Sequence, residues 1–174
     1  METKLNLITE IAKKDEKCRF RNLAHLLNVP NLKECFYMLK KGKASGIDGI
    51  SYETYKANLE SNLIELVKRM KSFSYRPQPV KRVYIAKSNG KQRPIGMLAI
   101  EDKVVQMGMT RILNAIYEVD FLDNSYGFRP NRSCHDALDR LYKDITRKPV
   151  NYIIEADIKG FFDNVQQQLL MKCI

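Results

Sequence analysis

Tyr152-Ile153-Ile154-Glu155-Ala156-Asp157-Ile158-Lys159-Gly160-Phe161-Phe162-Asp163 is the segment from which the rest of this 174-residue chain is best understood. Its apolar, β-prone run predicts a strand that delivers Asp157 at its C-terminal end, with Gly160 and two aromatics following within five residues. By itself the segment fits an aspartate that ends a strand as a helix cap, with Phe161 and Phe162 in a core. The sharper alternative is a Mg²⁺ carboxylate beside nucleotide phosphates, because that ion is held by few protein ligands plus substrate oxygens. Gly160 would let backbone approach a triphosphate closely, and Phe162 would close over a sugar ring. Two-metal phosphoryl transfer needs several carboxylates to hold ions about 4 Å apart. Only seventeen residues follow Asp157. The stretch therefore reads as part of a catalytic site, in the first half of a larger enzyme.

Working outward, Pro149 precedes this strand, and Ser133 with Asp136 predicts a capped helix reaching about Thr146. A Gly-Pro loop, Gly127 to Pro130, comes before it. Asp102 to Val119 predicts a long helix with Val105, Met109, Ile112, Leu113 and Ile116 on its inner face. Upstream the period changes: Val83 and Ile85, then Ser88-Asn89-Gly90-Lys91, then Ile95 and Met97 read as two strands joined by an Asn-Gly turn, a pair that supplies the positive φ values of a tight hairpin. Ser51 opens a helical region whose Tyr52, Tyr55, Leu59, Leu63, Leu66, Val67 and Met70 form one buried stripe, ended by Pro77 and Pro79. Gly42, Gly46 and Gly49 mark a loop before it. Asn31 with Glu34 predicts a capping box starting a helix to about Lys41. Arg19 to Leu27 predicts another helix, and Leu5, Ile8, Ile11 and Ala12 keep helical spacing in an opening segment. The fold class expected is α+β.

Thirty Lys and Arg against twenty Asp and Glu give a net charge of +10, a bias toward a polyanionic partner. A hydrophobic fraction of 44% suits a packed core and argues against disorder. Cys18, Cys35, Cys134 and Cys173 show no metal-ligand spacing, and His25 and His135 cannot complete a zinc site. Reduced thiols, no signal peptide and no long apolar run fit an intracellular chain without a membrane partner.

Two cationic groups stand out. Lys87 and Arg93 flank the hairpin tip, where arginine can bind phosphate oxygens bidentately and lysine supplies a compact charge. Lys40, Lys41 and Lys43 surround Gly42 in a loop suited to phosphates. The bland reading of both is solvated surface charge.

The order of the blocks alters that balance. Lys43-Ala44-Ser45-Gly46-Ile47-Asp48-Gly49, Val83 through Gly96, Asp102-Lys103-Val104-Val105-Gln106, Ser125-Tyr126-Gly127-Phe128-Arg129-Pro130 and Ala156 through Asp163 together resemble consecutive blocks of group II intron reverse transcriptases, from roughly Asn31 onward. Retron, diversity-generating and CRISPR-associated reverse transcriptases are similar. The resemblance implies a right-hand polymerase fragment: an N-terminal extension and basic loop (1–45), helical fingers with a β-hairpin (46–149), and the first palm strand in a truncated palm (150–174). It implies that Lys87 and Arg93 grip a dNTP triphosphate and that Asp157, with the Ile158 carbonyl, serves a two-ion Mg²⁺ site. Gly160 and Phe161 would offer backbone N–H groups to the triphosphate, and Phe162 would be the steric gate against a ribose 2′-OH. Lys40, Lys41, Lys43, Arg129 and Arg132 would meet RNA, while Tyr126 and Phe128 go mainly to packing.

The family's Tyr-x-Asp-Asp block does not occur in this sequence. The resemblance thus implies RNA-directed DNA synthesis in the full-length parent, and a fragment inactive by itself. Its partners would be intron RNA, an RNA template with DNA primer, and dNTP, in a cytoplasmic bacterial or organellar ribonucleoprotein. The oligomeric state stays open, a homodimer among the alternatives. The rival is a non-catalytic RNA-binding maturase module that has lost polymerisation.

Overall fold

The computed structural model describes residues 2–15, 17–86, 88 and 90–173. Lys87 and Asn89, both singled out above, lie outside the described residues. The described residues fall into two compact units, Met1–Phe121 and Leu122–Ile174.

The first unit is built on helices α1 (Glu2–Lys14), α2 (Val29–Met38), α3 (Tyr52–Ala57), α4 (Leu59–Lys71) and α5 (Ile100–Tyr117), with a hairpin of β1 (Lys81–Ala86) and β2 (Gln92–Met97). The expected stripe is the main core. Tyr52, Tyr55, Leu59, Leu63, Leu66 and Val67 are buried with Leu32, Cys35 and Phe36 of α2 and Ile100 and Val104 of α5. Each such large apolar side chain contributes about 1.5–3 kcal/mol on burial. Tyr52 stacks on Phe36 at 4.4 Å between ring centroids. A smaller cluster joins Leu5 and Ile8 of α1 to Leu26 and Ile112.

Local chemistry explains most boundaries. Ser51 caps α3 by accepting from the Thr54 N–H. The stripe runs through two helices because Asn58 leaves helical geometry between them; the Asn62 amide bridges the break to the Tyr55 carbonyl at 3.1 Å.

Several expectations are corrected. The cap of α2 is Asn28, whose side chain accepts from the Asn31 N–H, with Pro30 in the first turn. Asn31 is buried instead and donates to the Leu26 carbonyl at 2.7 Å. Glu34 reaches away to Arg111 at 3.0 Å. The helix expected over Arg19 to Leu27 is a single 3-10 turn, Leu23–Leu26, preceded by Asn22 in a left-handed conformation at φ 61°. On α5 the buried positions are Ile100, Asp102, Val104, Gly108 and Ile112, so Met109 faces outward. Gly108 is among the buried positions: a Cβ there would lie 2.7 Å from the Leu27 side-chain end and 3.3 Å from that of Leu32, so α5 packs closely there and a larger residue would have to displace those leucine methyls.

The hairpin is antiparallel, with Val83 opposite Ile95, Ile85 opposite Arg93 and Ala86 opposite Gln92. That register leaves residues 87–91 as the connection, with Gly90 at φ 77° supplying the left-handed position.

In the second unit α6 (Cys134–Arg147) begins with the expected capping box. Ser133 Oγ accepts from the Asp136 N–H, and the Asp136 carboxylate accepts from the Ser133 N–H at 2.8 Å. A 3-10 turn at Phe162–Asn164 and α7 (Gln167–Cys173) follow. The strand expected to carry Asp157 is not formed: residues 148–158 adopt neither helix nor strand. Among the described residues the only ladder is β1 with β2. Without a partner strand the backbone N–H and C=O groups of 150–157 have no ladder to join, whatever their β propensity. The observed architecture is mixed: helices with one two-stranded antiparallel sheet. Among the described residues no helix is long and apolar enough to cross a membrane.

Candidate nucleotide and nucleic-acid site

The start of α5 gathers the segments on both sides of the hairpin. Asp102, only 2% exposed, accepts from the Tyr75 hydroxyl and, at 3.0 Å, from the Gln78 N–H, three residues before β1. Beside it Glu101 holds the Arg69 guanidinium with both oxygens at 2.8 Å and accepts from Tyr55 at 3.4 Å. Burial pushes both tyrosine hydroxyls well above their ordinary range, reinforced by Glu101 at Tyr55 and by the bond to Asp102 at Tyr75. The hydrogen bond to Glu101 raises Arg69 further. Asp102 thus ties the chain leading into β1 to α5, and Glu101 ties α3 and α4 to it.

The chain leaving β2 is fixed by close approach. A Cβ on Gly46 would sit 2.5 Å from the Ala99 nitrogen, so glycine alone lets the loop cross the backbone there. One turn into α5, Lys103 Nζ donates to the Ala44 carbonyl at 3.2 Å. Lys40, Lys41 and Lys43 precede that anchor; all are exposed, with Gly42 at φ 67° among them. Arg93, on β2 near the hairpin end, is exposed opposite Ile85.

In the second unit Asp157 is exposed, as is Ile158. Gly160 stands at φ 62°, and its carbonyl accepts from the Asn164 amide at 2.7 Å. Phe161 and Phe162 are 54% and 86% exposed, edge to face at 5.5 Å. Within these 174 residues the two phenylalanines are therefore not packed in a core. Asp157, Gly160, Phe161 and Phe162 form one solvent-facing stretch, while Arg93 and the basic loop belong to the other unit.

Arg129 and Arg132 bond within their own loop, and Phe128, expected to pack, does not. Arg129 Nη1 donates to the Leu122 and Ser125 carbonyls at 2.8 and 2.7 Å. Arg132 donates to the Asp123 carbonyl at 3.0 Å and lies over the Tyr126 ring at 5.5 Å. The arginines hold the loop, and Phe128 stands in water.

Sequence reasoning passed over Arg69, Tyr75, Glu101 and Asp102. The available signal was an acidic pair opening α5 after a polar tyrosine and arginine; ordinary helix-dipole placement explains such a pair equally well.

The described residues contain no group of three or more His, Cys, Asp or Glu side chains able to hold a metal. Asp157 is a single carboxylate donor, so the described residues do not by themselves complete a Mg²⁺ site.

Residues 85–174 match the reverse transcriptase (RNA-dependent DNA polymerase) family. The chain is 36% identical to protein YkfC of Escherichia coli strain K12, over 92% of this chain and 44% of that protein. It is 37% identical to the group II intron-encoded protein LtrA of Lactococcus lactis subsp. cremoris, over 89% of this chain and 26% of LtrA. An uncharacterized 91 kDa protein in a cob intron of Schizosaccharomyces pombe is 32% identical over 84% of this chain and 18% of its own length. The chain thus spans less than half the length of these relatives. With its hairpin, Asp157 segment and ordered blocks, the chain belongs to the reverse transcriptase family.

Proposed function

We propose that this chain supplies the fingers (46–149) and the opening of the palm (150–174) of an RNA-directed DNA polymerase that also serves its intron RNA as a maturase. The observation carrying this reading is the solvent-facing run of Asp157, left-handed Gly160 and exposed Phe161 and Phe162. An aromatic pair left in water beside a carboxylate is costly for folding and useful for a ligand. Asp157 contributes one carboxylate to a Mg²⁺ centre that needs further acidic residues, and Lys87 and Arg93 neutralise the dNTP triphosphate. Phe161 and Gly160 present backbone N–H groups to the phosphates, and Phe162 excludes a ribose 2′-OH by its edge. The basic N-terminal loop takes RNA phosphates, mostly without reading sequence. The assembly works as a ribonucleoprotein in a bacterial cytoplasm or an organelle.

Primer extension on an RNA template tests the reading. The 174-residue chain alone is expected to be inactive, and the polypeptide carrying it together with a Tyr-x-Asp-Asp block is expected to extend the primer. Asp157→Asn should abolish that extension, and full activity in the variant would overturn the assignment. Intron RNA binding without any extension would favour the non-catalytic maturase module.

A further inference from the structure

Phe128 is fully exposed, at 108% of its reference area, and its backbone sits at φ 58°. Bulky L residues rarely adopt the left-handed region. An apolar ring entirely in water gains nothing from folding. Both costs fall on one residue, in a loop built to sustain them. Arg129 ties the loop to the Leu122 and Ser125 carbonyls at 2.8 and 2.7 Å. Arg132 ties it to Asp123 through the carbonyl at 3.0 Å and lies over Tyr126. Asn131 takes a second left-handed position, at φ 58°. Ser133 and Asp136 then lock the start of α6. The loop holds the ring out, and strain that local packing does not offset points to a role in binding.

We propose that Phe128 is a stacking platform for an unpaired nucleobase of a single-stranded nucleic acid. Aromatic faces accept any base, and guanidinium groups close by serve the flanking phosphates. Arg129 and Arg132, next to the ring and four residues beyond it, bring that charge, in a chain of net +10. The loop that carries the ring is tied down before binding, so little backbone freedom is lost when a base stacks. The inference rests on the nucleic-acid reading above and adds a base-contacting group to it.

The chain contains no tryptophan, so Phe128→Trp introduces a single reporter at the platform. Binding of fluorescein-labelled oligo(U) and of an abasic oligomer of equal length would be followed by anisotropy for the wild type, Phe128→Gly and Phe128→Trp. Phe128→Gly keeps the left-handed backbone without strain and should melt no lower than wild type. It should bind oligo(U) about tenfold or more weakly, with the abasic oligomer unaffected. Phe128→Trp should keep the affinity, and its emission should be quenched by RNA. Equal oligo(U) affinity in Phe128→Gly would overturn the proposal, while the nucleic-acid reading would stand if Lys41→Glu with Lys43→Glu still weakened binding. Emission that responds to protein concentration but not to RNA would assign the ring to self-association and overturn it too. No oligo(U) binding by wild type at low salt would overturn both.

Discussion

The buried carboxylate of Asp102 receives the hydroxyl proton of Tyr75, twenty-seven residues upstream, and thereby joins the first turn of α5 to the chain that enters the hairpin. The same carboxylate accepts the Gln78 N–H at 3.0 Å. One side chain therefore satisfies two donors that lie between α4 and β1.

Asp102→Ala should be among the most damaging single changes in the first unit. It leaves the half-buried Tyr75 hydroxyl without its acceptor, at about 1–3 kcal/mol, and removes the bond from the more exposed Gln78 N–H as well. Tyr75→Phe removes one bond and leaves the carboxylate its backbone donor, so it should cost about 1 kcal/mol. Urea melts of both variants check the order. Equal losses would show that the tyrosine hydroxyl, not the carboxylate, carries the tie.

Alkaline pH should weaken the first unit through the same tyrosines. Tyr55 and Tyr75 both hold their proton more tightly folded than unfolded, through burial first and then the neighbouring carboxylates. Their contribution is complete below the unfolded tyrosine value of about 10 and is lost as pH rises beyond it toward the folded values. Ultraviolet titration should show Tyr55 and Tyr75 ionising only as the chain unfolds. Tyr55→Phe combined with Tyr75→Phe should remove that late step.

Gly46→Ala should loosen the crossing of the basic loop over the β2 exit. The added methyl would meet the Ala99 nitrogen at 2.5 Å, the Ala99 Cα at 2.6 Å and the Leu98 carbonyl carbon at 2.8 Å, all backbone atoms that cannot swing aside. Overpacking of this kind costs about 1–3 kcal/mol. Gly127→Ala, with nothing within 4 Å of its Cβ, is the matched control and should melt like the parent. Identical melting of the two variants would mean that the crossing yields without cost.

Sequence periodicity was a reliable guide wherever one face of an element is buried by neighbours close in the chain. The stripe from Tyr52 to Val67 reads directly from three- and four-residue steps, and the Ser133 cap from its partner three residues on. The hairpin was legible because alternation and Gly90 agree. Legibility failed where the deciding partner is remote. Glu34 looks like the partner in a capping box, but its carboxylate is drawn to Arg111, seventy-seven residues away, while the cap itself is the nearer Asn28. Tyr152 to Ile154 have strand propensity, yet propensity supplies no ladder partner. At the candidate site, Asp157 and Phe162 were singled out through the resemblance of the ordered blocks, whereas the Asp102 tie and the outward ring of Phe128 depend on hydrogen bonds and φ values that spacing does not encode.

Lys41→Glu with Lys43→Glu should separate a phosphate-binding loop from a merely solvated one. Lys40, Lys41 and Lys43 are exposed and form no ion pair among the described residues. Their loop is pinned just downstream, at Ala44 by Lys103 and at Gly46 by the Ala99 backbone, so the charges are presented from a fixed base. For a single strand, each phosphate left without its lysine should reduce the slope of log affinity against log salt by about 0.7, so two such phosphates flatten it by about 1.4. Affinity for single-stranded RNA should therefore fall steeply at low salt and approach the wild-type value at high salt. A parallel offset at every salt concentration would indicate impaired folding or shape, because charge screening cannot produce it. An unchanged slope and affinity would return the three lysines to ordinary surface and leave the hairpin and the Phe128 loop to account for binding.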